Sequence, residues 1–399
     1  MKQKFVLAAV SAGLLAPVGL SAQQITDWDQ SNVEVPAVNP PDGVTGESVI
    51  YDRDPTLPGA VTNGKIVYTP PEGVTPGIEV ENGAYSFGPA NATPTGCIRA
   101  SAPTTCDGPR QSGKRFKQVV TGDGPIDLSF NVDPNASQDP NGDPDFGYRV
   151  FHRIINDTDK RLDGFSVSLG TGIGDGFVKS AAGDGLAFST VDAFGDPQGS
   201  GLVSESAFYP FGLFGDAATN PNFDLDGFFD GTGRAGFGLA ASEDMISSTG
   251  FFGKNDDLFG GWLSQAQVPT GALWDNDGSD ATDALVMAWF DATNGQWEIR
   301  RDVDPNDPTK AVSLASSVFR DTFGEVEDYL GLASQNALEE DFIEDLANLN
   351  LNYGISLDGF TGTQFTVRVQ TSAIPLPAGL PLLATALAIF GILRRRKAA

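Results

Sequence analysis

The chain has 399 residues, 40% of them hydrophobic and 27 of them Phe, which is enough apolar mass for a folded core. Its 52 acidic residues against 25 basic ones leave a formal net charge of −27. That balance argues against a nucleic-acid partner, which needs clustered Lys and Arg, and against docking on anionic lipid head groups. A single histidine, His152, excludes multi-His zinc centres, two-His iron sites and His-Glu-x-x-His proteases. No nucleophile elbow, Walker A loop or dinucleotide fingerprint is present either.

Residues 1–22 have the layout of a secretory signal peptide. Lys2 and Lys4 form the charged region, Phe5 to Leu20 is apolar, and Ser21-Ala22 offers a small-residue cleavage site. The alternative is an uncleaved anchor; Pro17 and Gly19 favour cleavage. The implied partner is the Sec export machinery.

Residues 23–110 read as a loop-rich lead-in. Pro36, Pro40, Pro41, Pro55, Pro58, Pro70, Pro71 and Pro76 separate short apolar pieces such as Gly64 to Tyr68, so strands here are expected to be short or at edges. Cys97 and Cys106 have eight residues between them. Export places them in an oxidising compartment, where such a pair is expected to form a disulfide. A redox-active pair would have C-x-x-C spacing instead.

Residues 111–371 read as a β-rich ectodomain. Arg115 to Val120, Ile126 to Val132 and Gly164 to Leu169 alternate, Tyr148 to Ile155 reads as a strand with its apolar residues partly on one face, and Gly- and Asp-containing turns separate them. The fold class expected is mainly β, a β-sandwich or meander-like arrangement, with one short helix on the C-terminal side. Leu-Asp-Gly-Phe occurs at Leu162, Leu225 and Leu357 without regular spacing, so it is a turn-and-strand word and not a repeat. Leu285 to Phe290 and Gln296 to Arg300 flank Asp291 to Gly295 as a hairpin. The helical pattern is strongest over 325–350, with Leu338, Phe342, Leu346 and Leu349 on one face and Asn336 and Glu339 as a capping pair. A last strand is expected over Gln364 to Val369.

Residues 372–399 form the most informative stretch. Ser372 to Leu393 carries no charge, long enough for a single transmembrane helix, and Arg394, Arg395, Arg396 and Lys397 follow. The basic cluster would stay cytoplasmic and the ectodomain outside. A plain tail anchor is one reading. The order of Ile374-Pro375-Leu376-Pro377-Ala378, apolar span and Arg-rich end resembles the VPLPA variant of the PEP-CTERM sorting signals of Gram-negative bacteria, with Ile374 where that family usually has Val. This resemblance covers about 25 residues and implies an exosortase-type transpeptidase that cuts near the Pro motif and releases or re-attaches the protein. The stretch from Lys114 through Gly124-Pro125-Ile126 to Tyr148-Arg149 and Gly164-Phe165 also resembles the choice-of-anchor F family of bacterial surface proteins. That resemblance implies a β-rich ectodomain and transfers no catalytic residues.

Calcium is the one cofactor the body suggests. Asp139, Asn141, Asp143 and Asp145 alternate, Asp275, Asp277 and Asp280 form a second cluster, and Asp302, Asp304, Asn306 and Asp307 a third. Clustered carboxylate and amide oxygens can wrap Ca²⁺, which takes 6–8 oxygen ligands, yet the same residues also make turns. An enzyme would have to work with carboxylates, among which Glu325, Glu327, Asp328, Glu339 and Glu340 are close in sequence. His152 lies inside an apolar strand and reads as a core-edge or hydrogen-bonded side chain, not a catalytic one. Trp262, Trp274, Trp289 and Trp297 are either core anchors or a glycan-binding face. The expectation is a non-enzymatic, exported protein of the cell surface or extracellular matrix, in contact with exopolysaccharide. The alternatives are a calcium-assisted adhesin or glycan-binding module and, behind it, a carboxylate-based hydrolase.

Overall fold

The computed structural model describes residues 23–83, 96–101, 106, 114–136, 147–188, 239–242, 244–248, 264–267, 272–275, 286–291, 294–331, 338–341 and 347–373. These residues are mainly β. The period-two pattern read from the sequence becomes strands in three open sheets.

The first sheet has the order β1 (Gln24–Asp29), β8 (Ile126–Asp133), β21 (Gln364–Ala373), β10 (Leu162–Thr171), β14 (Met245–Ser248) and β13 (Leu239–Ala241), with β11 (Val178–Lys179) added to β10. All its pairings are antiparallel. The second runs β12 (Ala187–Phe188), β20 (Asn348–Ser356), β9 (Tyr148–Asn156), β7 (Phe116–Val120), β4 (Thr62–Tyr68), β3 (Gly46–Tyr51) and β2 (Val33–Glu34). Beside the first half of β9 lies β6 (Gly96–Ala100), parallel to it, with β5 (Ile78–Asn82) on its other side. The expected lead-in thus supplies strands to both sheets, because its prolines fall between the strands and leave the ladders intact.

Strands β7, β8, β9 and β10 follow one another in the chain, yet none pairs with its immediate successor; they alternate between the two sheets. This explains why β7 and β9 are parallel neighbours, since β8 makes the return journey in the other sheet. One continuous core takes side chains from both sheets. Ile126, Leu128, Phe130 and Val132 of β8 meet Tyr148, Val150 and Ile154 of β9 and Leu349, Leu351, Tyr353 and Ile355 of β20 in that core. Phe130 and Phe365, paired across β8 and β21, stack with centroids 5.3 Å apart.

The third sheet has the order β18 (Asp307–Arg320), β17 (Gln296–Asp304), β16 (Val286–Asp291), β15 (Ala272–Asp275) and β19 (Leu338–Asp341). The hairpin around Asp291–Gly295 is present, with Phe290 paired to Trp297. Helix α1 (Phe323–Leu330) buries Val326 and Leu330 against Met287, Trp297 and Ile299.

The helix differs from the sequence expectation. It ends at Gly331, whose φ of 70° is the left-handed conformation that glycine adopts without strain. Leu338–Asp341 is a strand paired with β15, and Leu349 belongs to β20, so the face drawn through Leu338, Phe342, Leu346 and Leu349 does not form. Cross-strand pairing overrides the modest helix propensity of these residues. Phe342, Leu346 and Asn336 lie outside the described residues. The true cap is Thr322, whose hydroxyl accepts from Glu325 N while the Glu325 carboxylate accepts from Thr322 N.

Candidate functional site

The sites expected from sequence divide sharply by position. Cys97 and Cys106 are joined as a disulfide with Cα atoms 6.0 Å apart. The bond is fully buried against Phe151 on the face of β9 that points away from the shared core. Ile374, Pro375, Leu376, Pro377 and Ala378, and Arg394, Arg395, Arg396 and Lys397, lie outside the described residues. So do Asp139, Asn141, Asp143, Asp145, Asp277 and Asp280; Asp275 ends β15, and only its backbone is described. Among the described residues, no helix is long and apolar enough to cross a membrane.

The third acidic cluster has a local structural role. Asp304 closes the β17–β18 hairpin, its carboxylate accepting from Asn306 N at 2.8 Å. Glu325 is held by the helix cap, where it also accepts from Asp321 N at 3.0 Å. Among the described residues, one group of His, Cys, Asp and Glu is close enough to hold a metal: Glu81, Cys97 and Cys106. The disulfide removes both thiolates from it.

His152 is fully buried on the core side of β9. Its Nε2 lies 2.9 Å from Gln118 Oε1 and its Nδ1 3.3 Å from the Tyr353 hydroxyl. Its ring stacks on Phe116 at 4.4 Å. Burial holds the imidazole far below its ordinary value, at about 3, and pushes the Tyr353 phenol up. A neutral, enclosed imidazole matches the reading from sequence and has no access to a substrate.

Trp289 and Trp297 do not share one face. In the β16–β17 register Trp289 pairs with Glu298 and Phe290 with Trp297, so the two indoles point to opposite sides of the third sheet. Trp297 packs under α1 against Phe323 at 5.3 Å, and Trp289 donates from Nε1 to Glu298 at 2.9 Å. Both are buried. Trp262 and the Trp274 side chain lie outside the described residues.

Two charged centres on the outer faces of the sheets carry no signature in the sequence pattern. On the first sheet Arg368 of β21 meets Asp127 of β8 in a two-pronged pair, Nε to Oδ1 and Nη2 to Oδ2, both 2.7 Å. The turn at Gly174–Gly176 closes over it: Gly174 N donates to Asp127 and Gly174 O accepts from Arg368, each at 2.7 Å. Gly174 has φ 54°, and a Cβ there would stand 2.3 Å from Asp52 O, so only glycine fits. Phe177 covers the guanidinium at 3.9 Å.

On the second sheet three cations lie near one another. Lys117 of β7 and Arg153 of β9 are direct partners in the parallel register. Arg115, just before β7, is 5% exposed, and its Nε has no hydrogen-bond partner. Burial, and then the nearby Arg153 charge, lower its guanidinium to about 10.

No known protein-family model, curated protein or solved structure matches this chain.

Proposed function

We propose that this chain is an exported, non-enzymatic component of the cell surface or extracellular matrix, with a β-sandwich ectodomain. It leaves the cytoplasm through residues 1–22 and is held, then released or re-attached, through residues 372–399. The observation that carries the reading is the order within that tail: Ile374 to Ala378, an uncharged apolar stretch to Leu393, then Arg394 to Lys397. Strand β21 runs to Ala373, so the Pro motif follows the last core strand without a stalk. A transpeptidase would find Pro375 and Pro377 next to a rigid sheet, with the span still in the membrane.

Two further features support it. The buried disulfide suits an oxidising compartment outside the cytoplasm. The lone histidine is enclosed in the core, which removes the commonest side chain for acid–base work near neutral pH. Mass spectrometry of the terminal peptides from membrane and surface fractions tests the proposal. A new C-terminus near Pro375–Pro377 is the expected result. A membrane-bound chain that keeps Arg394 to Lys397 would replace sorting with a permanent anchor.

A further inference from the structure

Strand β1 begins at Gln24, one residue after the cut expected behind Ala22. Gln24 already pairs with Asp133 of β8. Ile25 is fully buried, and both of its backbone groups are held at the outer edge of the sheet. Ile25 N donates to the Tyr148 hydroxyl and Ile25 O accepts from Asn82 Nδ2, each at 2.9 Å. Only Gln23 and Gln24 therefore separate a mature N-terminus from the core. Trimming past them would remove Ile25 and then Trp28, both part of the core that the two sheets share.

Gln23 is not tied down in the same way. It stands outside the ladder, and in the uncut chain it is 8% exposed with no hydrogen-bond partner on Oε1. A buried amide oxygen without a donor carries a desolvation cost. The cut turns Gln23 N from a neutral amide into an amine within reach of its own side chain. Such an amine titrates at about 7.7–8.0, so a nucleophilic fraction is present near neutral pH.

We propose that Gln23 is a modification site, which closes on itself to a pyroglutamyl lactam once the cut exposes it. The α-amine nitrogen attacks the side-chain Cδ, the Cδ–Nε2 bond breaks, and Nε2 leaves as ammonia with one proton from the amine. Oε1 stays as the lactam oxygen, and the step needs no oxidant, reductant or second substrate. The ring removes the terminal charge, and with it the free amine on which an aminopeptidase acts. An end that lies two residues from Ile25 is thereby sealed against trimming into β1. The inference rests on the export reading of residues 1–22.

Mass spectrometry of the N-terminal peptide of the chain recovered from the cell surface tests it. A synthetic, isotope-labelled peptide of residues 23–29 is carried through the same preparation to count ring closure during handling. The peptide from the chain is expected to begin at residue 23 and to be lighter than its glutaminyl form by one ammonia, while the labelled standard stays open. A peptide that begins at Gln23 with a free amine, or a standard closed to the same extent, overturns the lactam and leaves export standing. A chain that still begins at Met1 contradicts export, and the lactam falls with it. Gln23→Ala supplies a second readout, with melting curves to establish that it is folded. Treated with a purified aminopeptidase, the parent is expected to keep its N-terminus and the variant to be shortened. Equal shortening of the two overturns the proposal.

Discussion

Two arginines on the outer faces of the sheets that share the core are held in opposite ways. On the first, Arg368 has a carboxylate, a carbonyl and an aromatic face, and a glycine turn hydrogen-bonds to both partners. On the second, Arg115 is more deeply buried than Arg368, but its Nε has no partner and the Arg153 charge lies nearby. The first arrangement is complete and therefore structural. The second leaves one buried nitrogen without an acceptor beside a like charge, and carries a cost that the first does not.

Removing one member of each centre gives the sharpest contrast. Arg368→Met leaves Asp127 buried without its cation and is expected to cost about 3–5 kcal/mol in urea unfolding. Arg115→Met removes a buried guanidinium whose Nε has no acceptor and is expected to leave stability unchanged or slightly raised. Equal losses for the two would erase the distinction between the faces. Replacing Cys97 and Cys106 together by Ser is expected to cost about 2–4 kcal/mol, seen as a lower urea midpoint that matches the parent protein under reducing conditions.

The buried histidine adds a pH dependence with a definite sign. His152 titrates near 6.5 when unfolded and at about 3 when folded. Between those values the unfolded chain holds the extra proton, so stability falls as the pH drops from about 6.5 toward about 3. The histidine contributes a slope of up to about 1.4 kcal/mol per pH unit in that window. His152→Gln is expected to lose that part of the slope and keep the part due to carboxylates. The smallest loss belongs to the third sheet, where Thr322→Ala is expected to cost about 1 kcal/mol by removing the hydroxyl that caps α1.

Much of the strand content was legible because alternation is a local signal. Ile126 to Val132, Tyr148 to Ile155 and Gly164 to Leu169 stand where their period-two pattern puts them. The alternation of β7 to β10 between sheets was not legible, since nothing within a strand says which sheet it joins. The helix was placed too late because the apolar spacing of Leu338 and Leu349 outweighed a shorter and better signal. Thr322-x-x-Glu325 is a capping box, and Gly331 is its matching stop. The disulfide was legible from compartment and spacing. The two arginine centres were not, because Asp127 and Arg368 are 241 residues apart and Arg115 is defined by what fails to reach it.

The most direct test of the contrast between the two centres is a crystal structure of the full chain. Asp127 is expected on both prongs of Arg368, and no protein acceptor within hydrogen-bond distance of Arg115 Nε. A protein carboxylate on Arg115 Nε would contradict the account.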